Sequence, residues 1–461
     1  MSLARSKSVV RSAVAAVVNK LLSPSVGKEF CRQSLHEQLE TRRLFATLVV
    51  NGGFGNDTIR LSVDANFIYA NVNGGVIPQP VGLWDAIQIN AGDGNDHVYI
   101  DNTGSEPVDI FPGNGQDQTW TTMESGDMDD LSARVFQHQG TDSVPDALDI
   151  VDSNDGGDDD YNITQVSSHL QLVHPDLPQN ESEEVWWDKP QLVTELWLNS
   201  GSDNVTFDST VALNATGGQT IIRSRPLGSN NGGGNDTVNF FGQISNSNLL
   251  QFKGNDGDDS LILSGDTFAG DATVEFDGVD TGFSTGTNRL TISDSGPTDT
   301  YNFKSTGTQL LLIDGGQVGT INFSDVNVLG VTSTSTTQAS TFGINGIHGD
   351  NFTIAAGGGD DGFTVGDGNI SSSDFDSSTS ILLSGGAGGD TLTINNPSSI
   401  TNTTHDWSSN SFELNSPSGA SSLSLCGDSS FSCCTRCGAS IAVAVAWWPS
   451  KKFPGVTASA P

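Results

Sequence analysis

The stretch Gly52–Arg60, with the sequence GGFGNDTIR, combines a glycine-rich turn with the first residues of a β-strand. Its three glycines permit the left-handed backbone angles of a tight turn, and Asp57 places a carboxylate beside that turn. Ile59 then begins a run with strand character. The stretch therefore predicts a short acidic turn that leads directly into a strand.

The same motif recurs in weaker spellings at six further places. These are Ala91–Tyr99, Pro112–Trp120, Asn231–Asn239, Gly254–Ile262, Ala356–Thr364 and Gly385–Thr393. Short segments of alternating or clustered apolar residues are bounded by Gly, Asn or Asp, as in Ser260–Leu263 and Arg289–Ile292. We therefore predict an all-β protein in which strands alternate with glycine-rich acidic turns.

A longer repeat is superimposed on these turns. Leu148–Thr164 and Leu290–Thr306 share a Leu-x-Ile-x-Asp-Ser start and a Tyr-Asn strand, and they begin 142 residues apart. Paired turns are 21, 23 or 29 residues apart, the length of one solenoid coil. We predict an elongated parallel β-helix or β-solenoid of about three modules, at about 86–220, 221–346 and 347–424. A row of β-sandwich domains, one per module, is the alternative.

Acidic residues dominate the repeat-built body at 47–424. From residue 47 to 425 the chain has eight Lys or Arg and 51 Asp or Glu, a balance of −43. Such a field repels nucleic acid and anionic membranes and attracts cations or basic partners. We expect no nucleic-acid partner, and no apolar run is long enough to predict a membrane span. Acidic surfaces also keep exported proteins soluble, an alternative that charge alone leaves open.

The N-terminal segment differs from the body. Within residues 1–46, basic residues precede the apolar run Ala13–Val18, which resembles a secretory signal. An amphipathic helix is the alternative. Ser34–Ala46 resembles the LEPR-XLL motif of large exported proteins of planctomycete-type bacteria, with matches at Leu39, Glu40, Arg42 and Leu44. The resemblance implies an extracellular or cell-surface location.

The C-terminal segment also departs from the repeat. Residues 425–461 contain no glycine–aspartate turn and hold Cys426, Cys433, Cys434 and Cys437. Their spacing lacks the paired CxxC knuckles of a zinc site. We interpret this segment as an atypical, disordered tail, either genuine or produced by a reading-frame shift.

The turn motifs resemble the nonapeptide GGxGxDxUx of RTX, or haemolysin-type, calcium-binding repeats. The resemblance implies that turn carbonyls and aspartates hold Ca²⁺ between coils. The candidate ligands are Asp57, Asp96, Asp117, Asp236, Asp259, Asp361 and Asp390. Calcium chemistry agrees, because this ion prefers six to eight oxygen ligands. Good turn chemistry without any metal is the alternative.

The motifs are isolated here, whereas RTX arrays repeat them in tandem. We therefore expect stacked pairs such as Asp96 with Asp117 to be better placed for metal than Asp57, which lacks a neighbour one coil away. We predict an exported calcium-binding structural or adhesive repeat protein whose folding is linked to calcium. Its expected partners are calcium and an extracellular polysaccharide or a cell-surface component.

The alternative function is a β-helical polysaccharide-active enzyme, either a lyase or a glycosidase. That function requires one groove in which a basic residue meets carboxylates. Arg223 and Arg225 are the local pair of basic residues in the body. Trp186 and Trp187 are adjacent in a strand, so that one faces outward if the other is buried. The scattered basic residues favour a non-catalytic protein.

Overall fold

The computed structural model describes residues 46–394 with internal gaps, together with 404–408, 411–416, 419–426 and 432–433. The gaps are 125, 141–143, 145, 154–156, 175–183, 189–192, 214–216, 226–233, 246, 266, 279–285, 296–298, 305–307, 315–316, 335–336, 349–350, 367–379 and 387–389. The secretory signal, the LEPR-XLL-like motif and most of the cysteine-containing tail lie outside the described residues. The compact unit that follows begins at Thr47. In the described part, no helix is long and apolar enough to cross a membrane.

The described regular structure consists of 36 strands and one short 3-10 helix at Met128–Asp130. The first eighteen strands are β1 Thr47–Phe54, β2 Thr58–Val63, β3 Phe67–Val72, β4 Gly75–Pro80, β5 Ala86–Asp93, β6 His97–Ile100, β7 Val108–Asn114, β8 Gln118–Thr121, β9 Val135–Gln137, β10 Ala147–Val151, β11 Asp160–Val166, β12 His169–Val173, β13 Glu184–Asp188, β14 Val193–Trp197, β15 Asn204–Phe207, β16 Ala212–Leu213, β17 Gln219–Arg223 and β18 Thr237–Phe240. The remaining strands are β19 Gln243–Ile244, β20 Leu249–Lys253, β21 Ser260–Ser264, β22 Ala272–Asp277, β23 Arg289–Asp294, β24 Asp299–Phe303, β25 Gln309–Asp314, β26 Gln317–Ser324, β27 Val328–Ser333, β28 Thr341–Ile344, β29 Asn351–Ala355, β30 Gly362–Val365, β31 Ser380–Ser384, β32 Thr391–Ile394, β33 Thr404–Ser408, β34 Ser411–Ser416, β35 Gly419–Cys426 and β36 Ser432–Cys433.

Two long sheets contain 17 strands each, and β16 pairs with β19 in a small third sheet. Sheet 1 runs β1-β5-β7-β9-β13-β12-β11-β15-β18-β21-β23-β27-β29-β31-β35-β34-β33. Sheet 2 runs β4-β3-β2-β6-β8-β10-β14-β17-β20-β22-β26-β25-β24-β28-β30-β32-β36. Most neighbours are parallel, because each coil adds one strand to each sheet. The predicted all-β, parallel solenoid-like architecture is confirmed.

The core is built from columns of apolar side chains that stack from coil to coil. One such column in sheet 1 contains Val205, Val238, Leu261, Leu290, Leu329 and Phe352, all of them buried. Parallel in-register pairing places these residues about 4.8 Å apart. In sheet 2, the rings of Phe252 and Phe276 stack with centroids 5.3 Å apart.

The sheets continue through the predicted module boundaries. Strand β15 of the first module pairs with β18 of the second, and β27 of the second pairs with β29 of the third. Separate β-sandwich domains would instead close their sheets within each module. The alternative of tandem sandwiches is therefore wrong, because the coils of neighbouring modules share their sheets.

Among the described residues, four antiparallel meanders of three strands interrupt the parallel stacking. Strands β2–β4 and β24–β26 lie in sheet 2, whereas β11–β13 and β33–β35 lie in sheet 1. Between one meander and the next, the chain crosses from one sheet to the other an odd number of times, so that successive meanders alternate between the two sheets. Consequently, Leu148–Thr164 begins in sheet 2 but the matching Leu290–Thr306 begins in sheet 1.

Several turn glycines are explained by how the coils stack at their corners, which are the turns that join the two sheets. A Cβ atom added at Gly115 would lie 1.6 Å from the carbonyl oxygen of Gly94 in the preceding coil. A Cβ atom at Gly257 would lie 1.8 Å from the carbonyl oxygen of Gly234. The backbone of the neighbouring coil occupies the space of a side chain, so these positions accept only glycine.

Candidate functional site

The seven predicted aspartates lie immediately before strands, but they are divided between two corners. The corner from sheet 1 to sheet 2, here the first corner, carries Asp57, Asp96, Asp117, Asp361 and Asp390. The corner from sheet 2 to sheet 1, here the second corner, carries Asp236 and Asp259. This division follows from the odd number of crossings between meanders.

At the first corner, backbone hydrogen bonds join the aspartates of consecutive coils. The Asp57 N–H donates to Asp96 Oδ1 at 2.7 Å, and the Asp96 N–H donates to Asp117 Oδ1 at 2.7 Å. The Asp117 N–H donates to Asp146 Oδ1 at 3.2 Å. We call residues 57, 96, 117 and 146 the first corner ladder. Each side chain thus fastens one coil to the next.

The placement of Asp57 corrects the expectation that this residue has no neighbour one coil away. Strands β3 and β4 extend sheet 2 beyond β2, so β2 still pairs directly with β6. Asp57 and Asp96 are therefore 39 positions apart in the sequence but adjacent in space. The sequence separation gave the wrong expectation because it includes the residues of the β2–β4 meander, which add no coil between Asp57 and Asp96.

A longer series of the same contacts runs along the second corner. Its bonds join Asp159 to Asp203 (3.1 Å), Asp203 to Asp236 (2.8 Å), Asp236 to Asp259 (3.0 Å), Asp259 to Asn288 (3.1 Å) and Asn288 to Asn327 (2.8 Å). We call these six residues the second corner ladder. The third corner ladder, at the first corner again, joins Ser340 to Asp361 (2.6 Å) and Asp361 to Asp390 (3.0 Å).

Sequence reasoning missed several members of these ladders. They are Asp146, Asp159, Asp203, Asn288, Asn327 and Ser340. Each is the polar residue immediately before a strand, but none follows the fully spelled glycine-rich motif. A search for a short polar residue ahead of every predicted strand would have found them.

The ladder carboxylates are buried, and some are incompletely satisfied. The second oxygen of Asp57 accepts the Gly53 N–H at 2.5 Å, and that of Asp259 accepts the Asn255 N–H at 3.1 Å. By contrast, Oδ2 of Asp96 and Oδ2 of Asp361 are buried and accept no hydrogen bond from the described residues. A buried carboxylate oxygen without a donor is costly when the group is ionised.

Burial raises the pKa of several ladder aspartates. It raises the pKa of Asp236 to about 8, and the charges of Asp259 and Asp203 act in the same direction. Burial likewise raises the pKa of Asp361 to about 6, with a further contribution from Asp390. The backbone N–H bonds of the ladder oppose these shifts. The ladders therefore favour a proton, or another positive charge, near their carboxylates.

The ladders offer few ligands to one metal ion. No group of three or more His, Cys, Asp or Glu side chains in the described part surrounds a point that a metal could occupy. Each bonded Oδ1 faces the positive end of an N–H, which repels a cation. A calcium ion would therefore use unsatisfied oxygens such as Asp96 Oδ2 and complete its shell with turn carbonyls and water.

A second group of charged residues lies on the outer face of sheet 2. Arg223 makes a bidentate contact with Glu195, with Nε and a terminal nitrogen 3.0 and 3.2 Å from the two carboxylate oxygens. Asp149 is the register partner of Glu195 and accepts a hydrogen bond from Gln118 at 2.6 Å. Burial raises the pKa of Asp149 to about 6, and the charge of Glu195 contributes. A basic residue thus contacts one carboxylate, and a second carboxylate lies beside the first on the neighbouring strand. The sequence could not indicate this arrangement, because strand stacking brings the residues together.

The two adjacent tryptophans separate as predicted. Trp187 is buried in the core, whereas Trp186 is half-buried on the outer face of sheet 1. The Trp186 indole N–H donates to Glu184 at 2.8 Å, and its ring lies 6.5 Å from that of His169. Strand alternation accounts for this division.

No protein-family model and no curated protein sequence matches this chain. The resemblances to the LEPR-XLL motif and to RTX repeats therefore stay predictions drawn from individual residues.

Proposed function

We propose that this chain is an exported calcium-binding repeat protein with a structural or adhesive role. The observation that carries the proposal is the set of corner ladders, in which buried aspartates of consecutive coils contact one another. Stacked coils form one continuous core, so that stability spreads from coil to coil. Such a body presents long repeated faces, which suit a matrix or surface component.

Calcium enters this proposal through the charge of the ladders. Oδ2 of Asp96 and Oδ2 of Asp361 are buried without a donor, and neighbouring carboxylates repel one another. A divalent cation beside such an oxygen would offset that repulsion and stabilise the stacked coils. Because the unfolded chain has no preformed site, binding would stabilise the fold.

Calcium titration into chelator-treated full-length chain, followed by circular dichroism and thermal melting, tests this proposal. We expect Tm to rise, because calcium at tenfold its Kd adds about 1.4 kcal/mol of stability. An extracellular module of this kind binds calcium with a Kd of about 0.1–1 mM. An unchanged Tm up to about 10 mM calcium, tenfold the upper end of that range, would contradict the calcium claim.

A matched pair of variants locates the effect. Asp96→Asn keeps an oxygen acceptor for the Asp57 N–H but removes the charge, so we expect a smaller calcium response. Asp64→Asn alters an exposed turn carboxylate outside the ladders, which accepts hydrogen bonds from Asn66 and Phe67. This control should respond to calcium as the parent chain does.

A polysaccharide-active enzyme is the second candidate, favoured by the contact of Arg223 with Glu195 beside Asp149. Two carboxylates in different environments can divide the roles of acid and base. Product release from neutral and acidic polysaccharides, measured for the parent chain and Asp149→Asn, tests this function. Release that Asp149→Asn abolishes would support an enzyme, and no release from either protein would exclude these polymers as substrates.

A further inference from the structure

A polar groove of about 450 Å³ lies on the outer face of sheet 2, beside the β24–β26 meander. Its polar lining includes Gln251, Glu275, Asp277, Gln309, Asn322 and Ser324. The volume falls within the range of small-molecule sites, but the lining is unusually rich in amides and carboxylates. None of the lining residues belongs to a corner ladder or to the Arg223–Glu195 pair. Ile221 of β17 lies between Glu195 and Gln251 in the strand register.

Strand register brings the central side chains of the groove into one row. Gln251 of β20 is the register partner of Glu275 in β22, which in turn partners Asn322 in β26. Asn322 partners Gln309 in β25, the middle strand of the meander. The row crosses four strands and extends for about 14 Å. The parallel stack and the meander together create this row.

Hydrogen bonds hold the row in place before any ligand arrives. Gln251 Nε2 donates to Glu275 Oε2 at 2.7 Å, and Gln309 Nε2 donates to Asn322 Oδ1 at 2.8 Å. Asn322 Nδ2 also lies 3.5 Å from Glu275 Oε1. Beside the row, the Ser324 hydroxyl donates to Asp277 Oδ1 at 2.7 Å. Ordered side chains lose little further freedom on binding, which favours affinity.

The chemistry of the lining selects a class of ligand. The amides present both N–H donors and C=O acceptors, and the two carboxylates present acceptors. A metal cation would use only the oxygens, whereas a sugar hydroxyl can donate and accept at once. Glu275 and Asp277 repel anionic ligands, and an apolar ligand would displace water from the remaining hydrogen-bonding atoms of the lining without replacing its hydrogen bonds.

We propose that this groove binds a neutral linear glycan, with the sugar chain running across the strands along the Gln251–Gln309 row. The strand spacing of about 4.8 Å is close to the length of one sugar unit in an extended glycan, so successive units meet successive side chains. The proposal rests on the adhesive role proposed above and names its ligand class.

Isothermal titration of the full-length chain in calcium-containing buffer tests the proposal. The probes are cellohexaose, xylohexaose, mannohexaose, laminarihexaose and chitohexaose, with hexagalacturonate as the anionic comparison. We expect saturable binding of at least one neutral hexasaccharide and none of hexagalacturonate. Glu275→Gln and Asn322→Ala should each weaken that binding by about tenfold.

Asn239→Ala is the matched control for Asn322→Ala. Asn239 donates to Asn204 at 2.7 Å in a similar amide pair, but on the outer face of sheet 1. It should leave glycan affinity unchanged. Thermal melting verifies that each variant is folded, and Glu275→Gln preserves side-chain size if Asn322→Ala fails to fold.

The inference is overturned if no neutral probe binds, if hexagalacturonate binds best, or if Glu275→Gln retains full affinity. If no neutral glycan binds the parent chain but calcium still raises its Tm, the groove assignment alone is overturned. If a neutral glycan binds but calcium leaves the Tm unchanged, calcium-linked folding is overturned and the groove assignment is retained.

Discussion

The second corner ladder has a charged aspartate part, around residues 203–259, and a neutral asparagine part, around residues 288–327. Both parts make the same coil-to-coil contact with different side chains. Asp236 and Asp259 accept the backbone N–H of the preceding coil at 2.8 and 3.0 Å. Asn288 accepts the Asp259 N–H at 3.1 Å and also donates from Nδ2 to the Gly278 carbonyl at 2.9 Å. Coil stacking thus requires a short acceptor at this position and does not require its charge.

The comparison separates two properties of the corners. The shape of the corner and its backbone hydrogen bonds are common to both parts, whereas the buried charge belongs to the aspartates alone. Within this ladder, sensitivity to pH and to cations should therefore reside in the aspartate part, around residues 203–259. The asparagine part, around residues 288–327, should be insensitive to both.

Replacing a corner glycine by alanine should produce the largest loss in the free energy of unfolding. The loss should be equal in the aspartate part and in the asparagine part. Gly257 belongs to the aspartate part and Gly286 to the asparagine part, and a Cβ atom at either would lie within 1.8 Å of a carbonyl oxygen in the neighbouring coil. We expect Gly257→Ala and Gly286→Ala each to cost at least about 3 kcal/mol, because backbone must shift. Urea denaturation measures this loss.

Gly330→Ala is the control for these two variants. No atom outside its chain neighbours lies within 4 Å of a Cβ atom at Gly330. Its free energy of unfolding should stay within about 0.5 kcal/mol of the parent value. A similar loss in all three variants would contradict the steric explanation of the motif.

Exchanging aspartate and asparagine within the second corner ladder should change the free energy of unfolding by an intermediate amount. Asp236→Ala leaves the buried Asp203 N–H without its acceptor and should cost about 1–3 kcal/mol. Asp236→Asn retains an acceptor and should be neutral or stabilising at pH 8. Asn288→Asp adds a buried charge and removes the Nδ2 donor, so it should destabilise at pH 8. Equal losses for Asp236→Ala and Asp236→Asn would show that charge matters more than the acceptor.

The pH dependence of stability should show the smallest effect when it is expressed per pH unit. The folded-state pKa values of Asp236 and Asp361 are raised to about 8 and about 6, above the ordinary value near 3.8. Such groups stabilise the fold below their ordinary pKa, and that stability is lost as pH rises through the folded pKa. We therefore expect the free energy of unfolding to fall between about pH 4 and pH 6 through Asp361 and between about pH 4 and pH 8 through Asp236. The slope is at most about 1.4 kcal/mol per pH unit for each group that keeps its proton in the folded chain but loses it in the unfolded chain.

Comparison with Asp236→Asn isolates the ladder from the general negative charge of the chain. This variant should have a shallower decline between pH 6 and pH 8 than the parent, whereas the exposed-site variant Asp64→Asn should decline as steeply. Chemical denaturation at matched ionic strength measures the slopes. Identical slopes for the parent and Asp236→Asn would exclude Asp236 from this titration.

Much of the fold could be predicted from residues that act locally. The alternation of apolar residues identified strands such as Ser260–Leu263, and the glycine-rich turns set their spacing. The candidate site was predicted less completely. The seven aspartates do lie at corners, but Asp57 was wrongly thought isolated and Asn288 was missed. Their partners lie one coil away, at a distance along the chain that insertions change.

The sequence by itself determined that short strands alternate with acidic glycine turns, because turn conformation and strand patterning depend on neighbouring residues. Tertiary structure alone decided which turns share a corner, since that depends on the number of crossings between meanders. It also joined Glu275 to Asn322 and Arg223 to Glu195. In Gly52–Arg60, Gly52 fits against the Ala91 carbonyl of the next coil and Asp57 donates its N–H to Asp96, because parallel stacking repeats each corner one strand spacing further on.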